Sequence, residues 1–262
     1  MSELVLGAVA YDAKVVPIWE GFKAHLESHG LPFDFVLYSN YERQVAAHLR
    51  GDIDVAWNSP LAWVQTRRAA PDRARAIAMR DTDRDLTSVV LVRAGSGSGA
   101  PQTIADLRVV GVGARDSPQA TLIPLLALAD AGARVEVVHH DVGVGKHGDH
   151  VGGERDAVQA LLAGRVDAAC VIDGNRLAFA REGLFAPGQL RVLVQTAAYD
   201  HCNVTALADT PAIERLRELL LAMSYDDPVV RPLLDLEGLT RWLPGRTSGY
   251  ALLERAVDAR PR

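Results

Sequence analysis

The sequence predicts an α/β fold with two similar lobes. Three observations predict it: short β-branched runs alternate with longer amphipathic segments, one helix–glycine–strand pattern occurs twice, and a Gly/Ser-rich stretch separates the two copies. Because parallel strands joined by helices need right-handed crossovers, we expect mostly parallel sheets with flanking helices.

The predicted elements follow from hydrophobic periodicity along the chain. Short runs rich in Val, Ile and Leu predict strands at residues 4–10, 33–38, 53–57, 88–93, 109–113, 135–140, 168–172 and 190–195. Apolar residues spaced three and four apart predict helices at residues 15–29, 41–50, 60–70, 118–131, 154–163, 175–182 and 211–223. This alternation of strands and helices is typical of α/β proteins.

The internal repeat predicts two lobes rather than one continuous sheet. Residues 45–57 align without gaps on residues 158–170, with six of the thirteen positions identical. In each copy a helix ends, a glycine (Gly51 or Gly164) takes the left-handed conformation, and the chain turns into a buried strand. Any helix-to-strand connection of this kind favours a glycine, so the glycine alone would not indicate a repeat. The aspartate that both copies share is not explained in this way. The shared acids, which we expect to fix turns, are Asp54 and Asp167.

The lobe boundaries follow from composition. Residues 94–101 are rich in Gly and Ser and predict a flexible connector. We expect a first lobe of residues 1–94 plus 203–262 and a second lobe of residues 95–202. Two crossings between them would form a hinge, with the ligand cleft between the lobes at the carboxyl ends of strands.

Charge and cysteine content exclude several classes of protein. The formal net charge is −5, from 28 basic and 33 acidic residues, and disfavours a nucleic-acid partner. Cys170 and Cys202 cannot form a disulfide framework or a finger-type zinc site. No apolar stretch approaches the ~18–20 residues of a membrane helix. The run at 4–10 lacks a basic segment before it and predicts a strand, so we expect no signal peptide and a cytoplasmic location.

Several segments follow the pattern of one known protein family; they are residues 7–11, 41–57 with its final motif at 51–56, 58–62, 164–168, 225–228 and 249–250. These segments resemble the type 2 periplasmic binding proteins, in the branch that binds phosphate, phosphite or phosphonate. The resemblance spans nearly the whole chain and implies two lobes that close on a small polar or anionic solute, as in a transport-related or sensing solute-binding protein. Because we expect no export signal, a transporter partner is doubtful at this point.

The resemblance also implies which residues contact the solute. These are Tyr11, Asn58 and Ser59 in the first lobe and a turn with Ser117, Gln119 and Thr121 in the second. We add Lys146, from a glycine-rich loop, and Asp173, which follows a strand.

The turn at Ser117 favours an anion on physical grounds as well. Ser117 is a good helix N-cap with Pro118 at the first helical position, and the N–H groups of a helix start create positive potential. However, Pro118 lacks an N–H, and Asp116 would repel a dianion at close range. The turn therefore leaves room for a carboxylate, a monoanion or a zwitterion besides a phosphonate. Helix capping alone is the competing interpretation.

The segment 139–154 is longer and richer in glycine and histidine than the family's short turn. Its spacing does not fit a phosphate-binding P-loop. The side chains that could bind a divalent transition metal such as zinc, iron or manganese are His147, Asp149, His150 and Glu154. Such loops are also commonly solvated without a metal, so no cofactor is certain.

A catalytic function is the alternative that the sequence leaves open. An imidazole ordinarily titrates near neutral pH, so His147, His150 and His201 are candidates for proton transfer in a cytoplasmic lyase or decarboxylase built on the binding-protein fold. Cys202 lies next to His201, but adjacent residues of a strand point to opposite faces, so we expect no direct thiol–imidazole contact. The sequence does not decide between enzyme and binding protein, and it does not identify the ligand, a metal or the oligomeric state.

Overall fold

The fold was analysed in a computed structural model that describes residues 3–95, 100–148 and 152–259. The strands are β1 (Leu4–Val9), β2 (Phe33–Tyr38), β3 (Val55–Asn58), β4 (Arg75–Arg80), β5 (Ser88–Arg93), β6 (Val109–Val112), β7 (Glu136–His139), β8 (Ala168–Ile172), β9 (Leu190–Gln195), β10 (Asn203–Ala206) and β11 (Trp242–Pro244). The helices are α1 (Val15–Ser28), α2 (Tyr41–Arg50), α3 (Pro60–Ala69), α4 (Ile123–Asp130), α5 (Gly153–Leu162), α6 (Asp173–Arg181), α7 (Pro211–Ala222), α8 (Arg231–Glu237) and α9 (Ala251–Asp258). No helix among these residues is both long and apolar enough to cross a bilayer.

The described chain separates into two compact units, each with its own sheet. The first unit comprises the chain up to Arg84 together with Asp200–Tyr250, and the second comprises Asp85–Tyr199 and the chain from Ala251 onward. The predicted α/β class with two sheets and flanking helices is confirmed.

The first unit contains a six-stranded sheet in the order β11-β4-β10-β3-β1-β2. Strands β1, β2, β3 and β4 run in one direction, whereas β10 lies antiparallel between β3 and β4 and β11 lies antiparallel to β4. Its core includes an aromatic cluster in which the Trp57 ring packs edge-on against Trp19 and Trp242 at 6.5 and 5.7 Å.

The second unit contains a five-stranded sheet in the order β7-β6-β8-β5-β9, in which only β5 runs against the other described strands. Alternate residues of β5 belong to two separate buried clusters. Val89 and Leu91 pack with the α5 side chains, and Val90 and Val92 pack with Leu128 of α4. Both faces of this sheet are therefore covered by helices, as expected for a largely parallel sheet.

The expected lobe boundaries differ from those of the two units. Strand β5 was placed in the first lobe, but it pairs on both sides with second-unit strands, including Ser88 with Ile172 of β8. The first crossing therefore lies at residues 84–85, before β5, rather than in the Gly/Ser-rich stretch. The C-terminal helix α9 also belongs to the second unit, where Arg255 pairs with Asp130 at 3.0 Å, so the chain crosses three times.

The repeated glycine and aspartate have matching roles in the two units. Gly51 and Gly164 have φ angles of 82° and 71°, in the left-handed region where a side chain is strained. The Asp54 carboxylate accepts the N–H of Val5 at 2.8 Å, and Asp167 accepts the N–H of Val109 at 2.9 Å. Each shared aspartate thus anchors the start of a strand of its own unit, β1 or β6, which explains why both copies contain one.

Candidate functional site

Polar side chains gather at one edge of the first-unit sheet. Because β1, β3 and β4 run in the same direction, their carboxyl ends meet at this edge, which carries Tyr11, Ser59 and Arg80. Strand β10 runs the other way and begins here, with Asn203 opposite Asn58. The residues just before it, His201 and Cys202, therefore reach the same edge.

Ser59 is the N-cap of helix α3, whose first residue, Pro60, matches the predicted start. Its backbone is extended and its hydroxyl oxygen accepts the N–H of Ala62 at 3.1 Å, while Pro60 occupies the first helical position. Ser59 is buried, so this helix start is enclosed rather than solvated.

Asn58 has partners for both ends of its amide within the unit. Its Nδ2 donates to the Thr205 hydroxyl at 2.8 Å, and its Oδ1 accepts from Gln44 Nε2 at 2.9 Å. The hydrogen bonds continue from Thr205 through Asn203 to the Tyr250 hydroxyl. Asn58 is therefore a structural link between α2, β3 and β10, and its predicted contact with a solute stays a prediction.

Tyr11 follows β1 and is partly buried. Burial raises the pKa of its hydroxyl well above the ordinary value, and the nearby Glu237 carboxylate adds to this. The Lys14 ammonium lies 5.8 Å from the centre of its ring. Tyr11 thus places a neutral hydroxyl beside the carboxyl end of β1, and its predicted contact with a solute stays a prediction.

Arg80 organises a buried charge cluster that the sequence did not predict. Its guanidinium binds the Asp83 carboxylate through two bonds, Nε to Oδ2 at 2.5 Å and Nη2 to Oδ1 at 3.0 Å. Nη1 donates to Glu237 Oε1 at 3.1 Å and to the Glu237 carbonyl at 2.8 Å. The guanidinium carbon also lies 5.2 Å from the centre of the Trp57 ring, a cation–π distance.

The two acids of this cluster are shifted in opposite directions. Burial disfavours ionisation of Asp83, but Arg80 and His201 outweigh it and hold the pKa of that carboxyl well below its usual range. Burial raises the pKa of Glu237 to about 7, because Arg80 offsets only part of the desolvation. Glu237 therefore exchanges its proton near neutral pH.

His201 contacts both an acid and a thiol. Its Nδ1 lies 3.1 Å from Cys202 Sγ and 3.4 Å from Asp83 Oδ1, and its backbone N–H donates to the Asp83 carbonyl at 2.8 Å. Burial would lower the pKa of His201, but Cys202 and Asp83 raise it to about 10. The expectation that Cys202 and His201 cannot touch is wrong. Both residues precede β10, so the alternation of strand side chains does not apply to them.

A second helix start carries the predicted polar turn of the second unit. The Ser117 hydroxyl accepts the N–H of Ala120 at 3.2 Å, with Pro118 at the first helical position. The first turn, Pro118–Leu122, is π-helical and continues into α4, a local irregularity that is frequent at functional sites.

Gln119 and Thr121 lie buried in this first turn. The Thr121 hydroxyl donates to the Ala114 carbonyl at 2.8 Å and so closes the turn on itself. The Gln119 carbonyl accepts from the Ser88 hydroxyl at 2.6 Å, whereas its side-chain oxygen is buried with no hydrogen-bond partner among the described residues. A buried oxygen of this kind can accept a hydrogen bond from water or from a bound solute.

The Asp116 carboxylate fastens the glycine-rich loop to this turn. Its Oδ2 accepts the backbone N–H of Gly145 and lies 3.9 Å from His147 Nε2. His147 is buried and has a φ of 56°, which is uncommon outside glycine. Asp116 therefore has a structural role within the unit, and its repulsion of a dianion stays a prediction.

Of the other residues proposed as metal ligands, the structure describes only Glu154. Glu154 is buried, and its Oε2 accepts from the Ile172 backbone N–H at 2.9 Å and from Asn175 Nδ2 at 3.1 Å. This joins the start of α5 to the end of β8. Asp149 and His150 lie outside the described residues, so a metal bound by His147, Asp149, His150 and Glu154 stays a prediction.

Lys146 and Asp173 complete the second-unit candidates. Burial lowers the pKa of the partly buried Lys146. Asp173 begins α6, and its carboxylate pairs with Arg176 at 2.6 Å. His147 belongs to the second unit and His201 to the first, so the alternative catalytic histidines are not grouped within one unit.

The comparisons with known proteins agree on the family and the fold. A sequence profile described as "ABC transporter, phosphonate, periplasmic substrate-binding protein" matches residues 8–250. No match was found among curated protein sequences.

Three solved structures are similar to this chain over most of its length. PhnD1 from Prochlorococcus marinus, in complex with methylphosphonate, has a TM-score of 0.70 and 19% identity over 97% of each chain. XAC2383 from Xanthomonas citri, bound to ATP, has a TM-score of 0.71 and 16% identity over 98% of this chain and 99% of that one. The aliphatic sulphonate binding protein SsuA from Escherichia coli has a TM-score of 0.58 and 17% identity over 98% and 86%. These likenesses establish a shared fold.

Proposed function

Because the chain belongs to the phosphonate family of periplasmic substrate-binding proteins of ABC transporters, we propose that it binds a small oxyanion of the phosphonate class. The observation that carries this proposal is the helix start at Ser117, with its buried first turn. The N–H groups of such a turn stabilise negative charge. We extend the proposal to delivery of the solute to an ABC transporter, the partner that members of this family serve.

The two helix starts share the features that the proposal needs. Ser59 and Ser117 each cap a helix with proline at the first helical position, and each accepts the N–H of the third helical residue. The Ser117 hydroxyl uses its oxygen as acceptor in this cap, so its hydrogen can donate to an anion. A charge-assisted hydrogen bond of this kind contributes about 1.5–3 kcal/mol.

A tetrahedral oxyanion head group is the ligand class that this arrangement suits. PhnD1 was solved with methylphosphonate, and SsuA is described as binding aliphatic sulphonates. Pro118 supplies no N–H, so the first turn offers fewer donors than a turn without proline. We therefore expect a singly charged head group to bind at least as well as a doubly charged one.

The experiment is calorimetric titration with methylphosphonate, phosphite, an aliphatic sulfonate and acetate. We expect at least one tetrahedral oxyanion to bind with one-to-one stoichiometry. In Ser117→Ala and Ser59→Ala the affinity should fall by about 10- to 100-fold, as expected for loss of a charge-assisted hydrogen bond.

Thr210→Ala is the matched control. Thr210 caps α7 through the N–H of Ile213 at 3.3 Å, also with proline at the first helical position. However, α7 follows the end of the reversed strand β10, at the opposite edge of the sheet. This variant should lose about 1 kcal/mol of stability with unchanged affinity. If no tetrahedral oxyanion binds, or if Thr210→Ala weakens binding as much as Ser117→Ala, the proposal is wrong.

The catalytic alternative is tested in the same samples. Mass spectrometry of each probe after prolonged incubation should show the probe unchanged. Formation of a product that depends on His147 or His201 would replace the binding proposal with an enzymatic one.

A further inference from the structure

Three potential metal ligands converge at the carboxyl edge of the first-unit sheet. Asp83, His201 and Cys202 each direct one ligand atom into the same small volume, and these three atoms lie within 4.8 Å of one another. The distance from His201 Nδ1 to Cys202 Sγ is 3.1 Å and to Asp83 Oδ1 is 3.4 Å. All three residues are buried, with exposed fractions of 2%, 8% and 3%.

We propose that Asp83, His201 and Cys202 form a transition-metal site for an ion of the zinc class. Zinc accepts carboxylate, imidazole and thiolate ligands at roughly 2.0–2.3 Å, which places neighbouring ligand atoms of a tetrahedron about 3.3–3.7 Å apart. The two measured distances lie within a few tenths of an ångström of this range. The site therefore needs only small side-chain movements to bind the ion, and the three side chains supply three of the four positions of a tetrahedron.

The charges around the site match a divalent cation. A zinc ion bound by one carboxylate and one thiolate carries no net charge. The loaded site itself therefore adds no net charge to the buried cluster around Arg80, where an uncompensated charge would be costly.

The surrounding contacts hold the ligands in place, as outer partners do in metal sites. Arg80 fixes the Asp83 carboxylate with two hydrogen bonds. The backbone of His201 is held on both sides, since its N–H donates to the Asp83 carbonyl and its carbonyl accepts from the Tyr250 hydroxyl at 2.9 Å. Cys202 leads directly into β10 and so lies next to the rigid sheet.

This site differs from the one that the sequence suggests in the glycine-rich loop. Its three ligands lie in the first unit, whereas the loop belongs to the second. The two possibilities also differ chemically, because only the first-unit site contains a thiolate. Cys170, the other cysteine, is buried in strand β8 of the second unit and serves as the internal control.

The test uses chelator-treated full-length protein and the metals alone. We expect equilibrium dialysis to show one tightly bound Zn²⁺ per chain. Titration with Co²⁺ should produce the thiolate-to-cobalt charge-transfer absorption together with the visible bands of a four-coordinate ion. In Cys202→Ser the charge-transfer absorption should disappear and the Zn²⁺ affinity should fall by at least about 100-fold, the upper end for loss of an outer partner.

Cys170→Ser should leave both measurements unchanged. A wild-type protein that binds no Zn²⁺, or whose Co²⁺ complex shows no thiolate charge transfer, would overturn the proposal without any variant being needed. Zinc binding that survives Cys202→Ser but is lost in His147→Ala would also overturn it and would assign the metal to the glycine-rich loop.

Discussion

Replacing the buried Glu237 by glutamine should stabilise the first unit at alkaline pH. The pKa of Glu237 is raised from an ordinary 4.5 to about 7 by burial. Between these two values the folded chain keeps a proton that the unfolded chain has lost, so the folding stability falls as the pH rises through this window. Glutamine resembles the protonated acid and does not ionise, and its side-chain oxygen can still accept from Arg80.

The size of the effect follows from the shift. A difference of about 2.5 pKa units corresponds to about 3 kcal/mol at about 1.4 kcal/mol per unit. Relative to the wild type, Glu237→Gln should therefore be equally stable at pH 4.5 and more stable by up to about 3 kcal/mol at pH 8. Replacing an exposed, ion-paired glutamate by glutamine should change the folding stability much less, because an exposed ion pair contributes only about 0–1 kcal/mol.

The assay is urea denaturation in a chelating buffer at several pH values between 4.5 and 8, followed by tryptophan fluorescence. All four tryptophans belong to the first unit, so fluorescence reports the unfolding of that unit. Glu218→Gln is the control, because Glu218 is exposed and pairs with Arg215 at 3.1 Å. A stability difference between Glu237→Gln and wild type that does not change with pH would refute this account, as would a variant less stable than wild type at pH 8.

Two further predictions concern the backbone. Gly245→Ala should unfold the first unit or destabilise it by more than about 3 kcal/mol, because a Cβ at this position would lie 2.0 Å from the Ala76 carbonyl oxygen. Gly174→Ala is the control: its Cβ would meet nothing within 4 Å, so this variant should gain up to about 1 kcal/mol of stability. Asp54→Ala and Asp167→Ala should each lose about 1 kcal/mol of folding stability, since each removes the acceptor for a strand N–H of its own unit. Chemical denaturation measures the stability of all four variants. A loss of stability in only one of the two aspartate variants would contradict their matching roles.

Most elements were predictable because their signals are local. Strands β2, β5, β8 and β9 have the predicted bounds, and α2 does as well, since an apolar period or a continuous β-branched run marks each one. Strands β4, β10 and β11 were missed. The first is flanked by arginines, and the other two are four and three residues long. These three strands depend on antiparallel pairing with distant segments, which no local pattern specifies.

In the candidate site too, features with a local sequence signal were predictable, whereas contacts between distant segments were not. The caps at Ser59 and Ser117 were predictable because a serine before a proline is a local helix-start signal. The pairing of Arg80 with Glu237 joins residues 157 positions apart, so the sequence offers no signal for it. Glu154, which the sequence suggests as a metal ligand, accepts a backbone N–H from β8, and this contact between distant segments also has no local signal.

Amide NMR of the uniformly ¹⁵N-labelled protein during titration with methylphosphonate tests the central claim most directly. If the helix start at Ser117 binds the anion, the largest saturable shifts fall on the amides of Gln119, Ala120 and Thr121, because their N–H groups lie in the first turn. Saturable shifts that leave these three amides unchanged, or no saturable shifts with any tetrahedral oxyanion, would contradict the claim.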